Sequence, residues 1–138
     1  MRRALVALLM VSAALVAASP LTALAQATTG AVVVDSAYGG GRNGGTFFYL
    51  AAVNGQKTEG NTLLASRGAS QGQGQNMRLK PFERSVPAGR AKLKLVAQLA
   101  YAAPVQELFA GDKTRPLEAE VEVELAPGGR YVVNGVVD

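Results

Sequence analysis

Twice in its second half the chain falls into strict alternation of apolar and polar residues. From Arg90 to Leu99, Ala91, Leu93, Leu95, Ala97 and Leu99 are apolar, while Arg90, Lys92, Lys94 and Gln98 stand between them; Val96 breaks the rule. From Leu117 to Leu125 the pattern returns with opposite charge: Leu117, Ala119, Val121, Val123 and Leu125 on one face, Glu118, Glu120, Glu122 and Glu124 on the other. A period of two places all four carboxylates in one row on a strand, whereas a helix would scatter them around its axis. Four like charges in a row repel, and a neighbouring strand carrying Lys92 and Lys94 converts that repulsion into cross-strand attraction of about 0.2 to 1 kcal/mol per pair. The two runs are therefore expected to be neighbours, with Lys92, Lys94, Glu120, Glu122 and Glu124 forming a charge ladder; two independently solvated faces are the alternative.

Upstream, GAVVV (30–34) and TFFYLAAV (46–53) are short β-branched or aromatic runs bounded by Gly, Asn and Asp, which reads as strands. Asn54-Gly55 predicts a type I′ hairpin turn with a return strand at Lys57-Thr58. Pro87-Ala88-Gly89-Arg90 and Pro127-Gly128-Gly129-Arg130 repeat one turn design and are each expected to close a hairpin. Ala102-Ala103-Pro104 should interrupt the sheet, and 110–114 reads as a further turn. SRGASQGQGQN (66–76) has almost nothing to bury and reads as a flexible loop, as does the Gly-rich stretch 38–45. The pattern predicts an all-β fold, a single antiparallel β-sandwich of about seven strands with no helix.

The first 25 residues are set apart. Met1-Arg2-Arg3 is a short cationic start, an apolar run follows from Ala4 to Ala18, and Ala23-Leu24-Ala25 offers the small residues that a leader peptidase accepts. These features predict a signal peptide cleaved after Ala25 and a one-domain mature chain, residues 26–138, that is periplasmic or secreted. A bilayer span needs about 20 apolar residues, more than this run supplies, which favours a leader over the alternative of a retained membrane anchor; no later segment could span, so no integral membrane segment is expected in the mature chain. The absence of cysteine removes a lipid anchor, disulfide staples and thiolate sites together. Loss of Arg2 and Arg3 with the leader takes the formal net charge from +4 to +2, so nucleic acid is not an expected partner.

Gly39, Gly41 and Gly44 spell a formal G-x-G-x-x-G behind the Val32–Val34 run. A dinucleotide fingerprint requires those glycines to open a helix, yet here they lead into Thr46-Phe47-Phe48-Tyr49, so no nucleotide or other cofactor is expected. The functional reading left to this loop is a ligand contact through Tyr38, Arg42 and Asn43. With no histidine the commonest general base is missing, and no triad can form. Asp35, Glu59, Glu83, Glu107 and Asp112 supply carboxylates without specifying a catalytic pair, and the strand-borne glutamates do not wrap a cation.

Val53-Asn54-Gly55, followed by Val86-Pro87-Ala88-Gly89-Arg90 and Leu93-Lys94-Leu95, with the echo over Ala126–Val133, resembles PEGA-type and transthyretin-like small β-sandwich modules of exported bacterial proteins. The resemblance implies a sandwich fold and an envelope or surface setting, and carries no catalytic residues. Together these readings predict a non-enzymatic exported protein acting through protein–protein or envelope contacts, with an envelope protein as partner; the alternative is a binding module for a glycan or other small ligand at the Gly-rich loop end.

Overall fold

The computed structural model describes Ala4–Val11 and residues 30–137. Most of the predicted leader, residues 1–25, and its expected cleavage site after Ala25 lie outside the described residues. The chain is mostly β, arranged in two sheets: β1 (Ala4–Val11), β2 (Ala31–Val34), β3 (Ser36–Gly39), β4 (Gly45–Val53), β5 (Gln56–Lys57), β6 (Glu83–Val86), β7 (Gly89–Ala100), β8 (Leu117–Leu125) and β9 (Arg130–Val137). One sheet has the order β1-β9-β2-β6; the other runs β3-β4-β7-β8, with β5 paired to β4. All pairings are antiparallel except β2 with β9. Both sheets feed one core: Ala31, Val33, Val86, Tyr131 and Val133 from the first meet Phe48, Leu50, Leu93, Leu95 and Leu125 from the second.

Asp35 is the single residue between β2 and β3, so the chain changes sheet there with almost no loop. The two Pro-x-Gly motifs also change sheet. Each was expected to close a hairpin, but β6 pairs with β2 while β7 pairs with β4 and β8, and β8 and β9 lie in different sheets. Such a turn sets local chain direction, whereas the partner of the next strand is chosen by burial. At the second corner Tyr131 is buried, and its hydroxyl accepts the Ala126 N–H at 2.8 Å, closing the bend from within. The Asn54-Gly55 turn has positive φ at both residues, 50° and 81°, as a type I′ hairpin demands.

Two helices stand where none was expected. α1 (Thr62–Ala69) takes in the start of the stretch read as a flexible loop. Asn61 caps it, its Oδ1 accepting Leu64 N–H at 2.9 Å. The buried stripe of α1 is polar: Thr62, Ser66 and Ser70, spaced by four, are all buried. The Ser66 and Ser70 hydroxyls accept the N–H groups of Lys80 and Arg78 at 2.8 and 2.7 Å, and Thr62 Oγ1 donates to Lys80 O at 2.7 Å. These bonds stitch α1 to the chain at 77–80. Leu63 and Met77 then close a second core with Phe47 and Ala100 on the outer face of the β4–β7 sheet. Covered on both faces, β4 reads as a continuous apolar run rather than an alternation. Val96, the exception in β7, is likewise buried, opposite Tyr49. The other helix, α2 (Pro104–Ala110), begins at a proline shortly after β7 ends at Ala100 and is followed by a 3-10 turn over Gly111–Thr114.

Candidate functional site

The Gly-rich stretch is the β3–β4 hairpin. Gly39 pairs with Gly45, and Gly40 N–H donates to Gly44 O at 2.7 Å. Gly41 exchanges two backbone bonds with Met77, both at 2.9 Å, so the hairpin tip is clipped to the chain beyond α1. At Gly44 a Cβ would stand 2.4 Å from Ala100 O, and φ is +71°, so glycine is required there for packing and conformation alike. The three candidate ligand residues lie along this hairpin, Tyr38 on β3 and Arg42 and Asn43 in the turn that follows. Tyr38 sits edge-on to Phe48, with centroids 6.0 Å apart, and its hydroxyl donates to Asn134 Oδ1 at 2.9 Å, which ties the edge of one sheet to the other. Arg42 and Asn43 are exposed at the tip, and neither of the two cavities described below is lined by any of the three.

The charged rows of β7 and β8 stand side by side, with Lys92 opposite Glu122, Lys94 opposite Glu120 and Arg90 opposite Glu124. The ion pairs run diagonally, one step along the row: Lys92–Glu120 and Lys94–Glu118 at 3.2 Å, and Arg90–Glu122 at 3.9 Å. Strand twist favours the diagonal neighbour over the one directly opposite, and long side chains reach it. Glu124 carries no ion pair at the end of the row among the described residues. Beside the ladder, Ala51 is an extra residue in β4 at a bulge, and the small side chains Ala51 and Ala52 leave a groove of about 350 Å³ walled by Lys57, Lys92, Lys94, Glu118 and Glu120.

The buried carboxylate is Asp35, with a fully enclosed side chain. Its oxygens accept from Leu50 N–H and Thr62 N–H, each at 3.0 Å, and from Arg84 Nη1 and Nη2 at 2.9 and 2.8 Å. One carboxylate thus joins the sheet-changing residue to β4, to the first turn of α1 and to β6. Arg84 stacks over Phe82 at 4.9 Å, and its Nε has no partner. A cavity of about 160 Å³ lies beside this node, lined by Asp35, Ala37, Thr62, Leu79, Lys80 and Pro81. With four donors already on it, Asp35 serves as a clamp rather than a free base. Tyr49 lies on the outer face of β4; burial raises its pKa, and its hydroxyl donates to Gln98 Oε1 at 3.0 Å. Among the described residues, no group of three or more His, Cys, Asp or Glu side chains is placed to hold a metal ion.

A surface that the sequence reading passed over lies on α2. Val105, Leu108 and Phe109, at i, i+3 and i+4, are 48, 79 and 86 % exposed. The helix is held from beneath by polar bonds: Arg67 of α1 pairs with Glu107, and Gln106 Nε2 donates to Arg42 O at 3.0 Å. α2 therefore sits over the glycine hairpin tip and α1 with its apolar side outward. The sequence signal was the spacing in PVQELFA, too short a run to set helical periodicity apart from a strand. Comparison with family models, with curated proteins and with solved structures gives no match to this chain.

Proposed function

We propose that the protein is a non-enzymatic exported β-sandwich that acts through protein–protein or envelope contacts. The observation that carries this reading is the apolar side of α2. Leu108 and Phe109 project into solvent from a short helix whose polar residues are spent on holding it in place. Contiguous exposed apolar side chains on a soluble domain mark interaction sites, and two large ones at four-fifths exposure are a costly arrangement for a surface with nothing to meet. The resemblance of the turn motifs to PEGA-type modules supports the same setting. In the sandwich reading, the two sheets that share the Leu50, Leu93 and Val133 core are the layers, and α2 is a contact element carried at one end.

The test is capture of partners from envelope extract by the exported protein and by its Leu108→Asp/Phe109→Asp variant. The expected result is a protein partner that survives salt washing and is lost with the variant, whose stability stays within about 0.5 kcal/mol of the parent because both side chains are exposed. Equal capture by both proteins would refute the role of α2. Glycan binding that disappears on substitution of Tyr38 or Arg42 would replace the reading with the ligand-loop alternative.

A further inference from the structure

β9 has neighbours on both sides. It runs parallel to β2 on one, and on the other pairs antiparallel with β1 over eight positions, from Ala4 opposite Val137 to Val11 opposite Arg130. β1 also lies against β7 and β8 of the facing sheet. There, Ala119, Val121 and Val123 form the inner side of β8 and pack, half-buried, on the core. The segment that completes this corner is an uninterrupted apolar octet, ALVALLMV, within the predicted leader.

Removal of the leader after Ala25 opens two surfaces at once. The backbone N–H and C=O groups along one edge of β9 lose their partners, and the inner side of β8 loses the strand that lies over it. We propose that the mature domain is a strand acceptor: the slot left by β1 takes an extended apolar segment of about eight residues, donated by another protein and running antiparallel to β9. The proposal rests on the export reading for the removal of β1, and on the pairing itself for the shape of the slot.

Three features select the occupant. The slot has a floor, because β7 and β8 lie beneath it, so its occupant must meet an inner side as well as the β9 ladder. Its inner side is apolar at Ala119, Val121 and Val123, and in the β9 sequence RYVVNGVV only Arg130 is charged, so the donor must be apolar on its inward face at least. A second copy is a poor donor, since every strand over residues 31–137 is already paired within its own sheets. The ladder to β9 supplies affinity and the inner side of β8 supplies selectivity.

The test uses the protein recovered from the exported fraction, its N-terminus determined by mass spectrometry, beside the unprocessed full chain. Hydrogen exchange is followed along Arg130–Val137, with a peptide of the Ala4–Val11 sequence, flanked by lysines for solubility, as the probe. The expected result is β9 protection in the unprocessed chain, a fall of about tenfold or more at alternate amides in the processed protein, and recovery on adding the peptide. The same peptide with Leu8→Pro, unable to donate at its centre, should bind roughly tenfold more weakly. Full protection in the processed protein without peptide, no recovery with it, or equal binding of the proline peptide would overturn the proposal. If the recovered protein retains residues 1–25, the cleavage reading fails by itself. The slot is then judged by Leu8→Pro in the full chain, where loss of β9 protection that the peptide restores sustains the acceptor, and unchanged protection overturns it.

Discussion

Replacing Asp35 by alanine should destabilise this domain more than any other single polar substitution in it. The change leaves the Arg84 guanidinium, whose side chain is 10 % exposed, without its counter-charge, and removes the acceptor from Leu50 N–H and Thr62 N–H. Removing one partner of a buried ion pair costs about 3 to 5 kcal/mol, because the surviving charge stays desolvated. For a domain of this size about 4 °C of melting temperature accompanies each kcal/mol, so Asp35→Ala should melt about 12 to 20 °C lower. Total stabilities of about 5 to 15 kcal/mol make such a loss measurable and survivable in the upper part of that range. Urea unfolding followed by far-UV circular dichroism gives the magnitude, and a cycle with Arg84→Met gives the mechanism. In the double variant neither charge is left buried alone, so it should cost less than the sum of the singles by about 1 to 3 kcal/mol. A loss under about 1 kcal/mol for Asp35→Ala, or strict additivity in the cycle, would refute the clamp and with it the claim that one carboxylate holds the sheet change, β4, α1 and β6 together.

The ladder should respond to salt. Lys92→Glu/Lys94→Glu replaces the Lys92–Glu120 and Lys94–Glu118 pairs by like charges, and should lower stability by about 1 to 2 kcal/mol at low ionic strength, with most of the loss recovered in 1 M salt; equal losses at both salts would leave packing as the cause. Gly44→Ala and Gly41→Ala separate space from conformation. Both positions have positive φ, but a Cβ at Gly41 meets nothing within 4 Å, whereas at Gly44 it meets Ala100 O. Gly41→Ala should cost about 1 to 2 kcal/mol and Gly44→Ala distinctly more in the same urea titration. Tyr49 predicts alkaline behaviour. Its folded pKa lies above the ordinary value near 10, so its contribution to stability is complete below about pH 10 and is lost as the pH rises through the folded value, the unfolded chain giving up its proton first. Tyr49→Phe should flatten the fall in stability above pH 10, and ultraviolet titration of the parent should show a tyrosine ionising late.

Legibility in the sequence followed the kind of burial. β7 and β8 declare themselves because each has one wet face, so period two is printed in charge as well as in hydropathy, and complementary charge names the neighbour. The diagonal offset of the ion pairs is not in the letters; it comes from twist, a property of the paired strands. α1 stayed hidden for the opposite reason: its buried stripe is Thr62, Ser66 and Ser70, which are held by hydrogen bonds to Arg78 and Lys80 in the segment beyond the helix, while hydropathy sees only polar letters. The clamp was hidden too. Asp35 and Arg84 are 49 positions apart, and nothing local distinguishes a buried aspartate from one in a turn.

The strand edges show how the two sheets are guarded, and where the guard is missing. β8 ends its sheet with four glutamates along one face. β3 and β6, at four residues each, are too short to template much, and β6 adds Glu83, held by Arg130 at 2.6 Å, and Arg84. Short length and charge are the usual means by which an edge resists pairing with a stranger. The β9 edge has neither: it runs eight residues, Arg130 is its sole charge, and β1 covers it. An edge this long with a single charge would be a hazard to a chain that stays alone, if the proposed cleavage takes β1 away. It is intelligible when exposure of that edge is timed by loss of the strand, and three defended edges confine pairing to the one slot that has a floor to select its occupant.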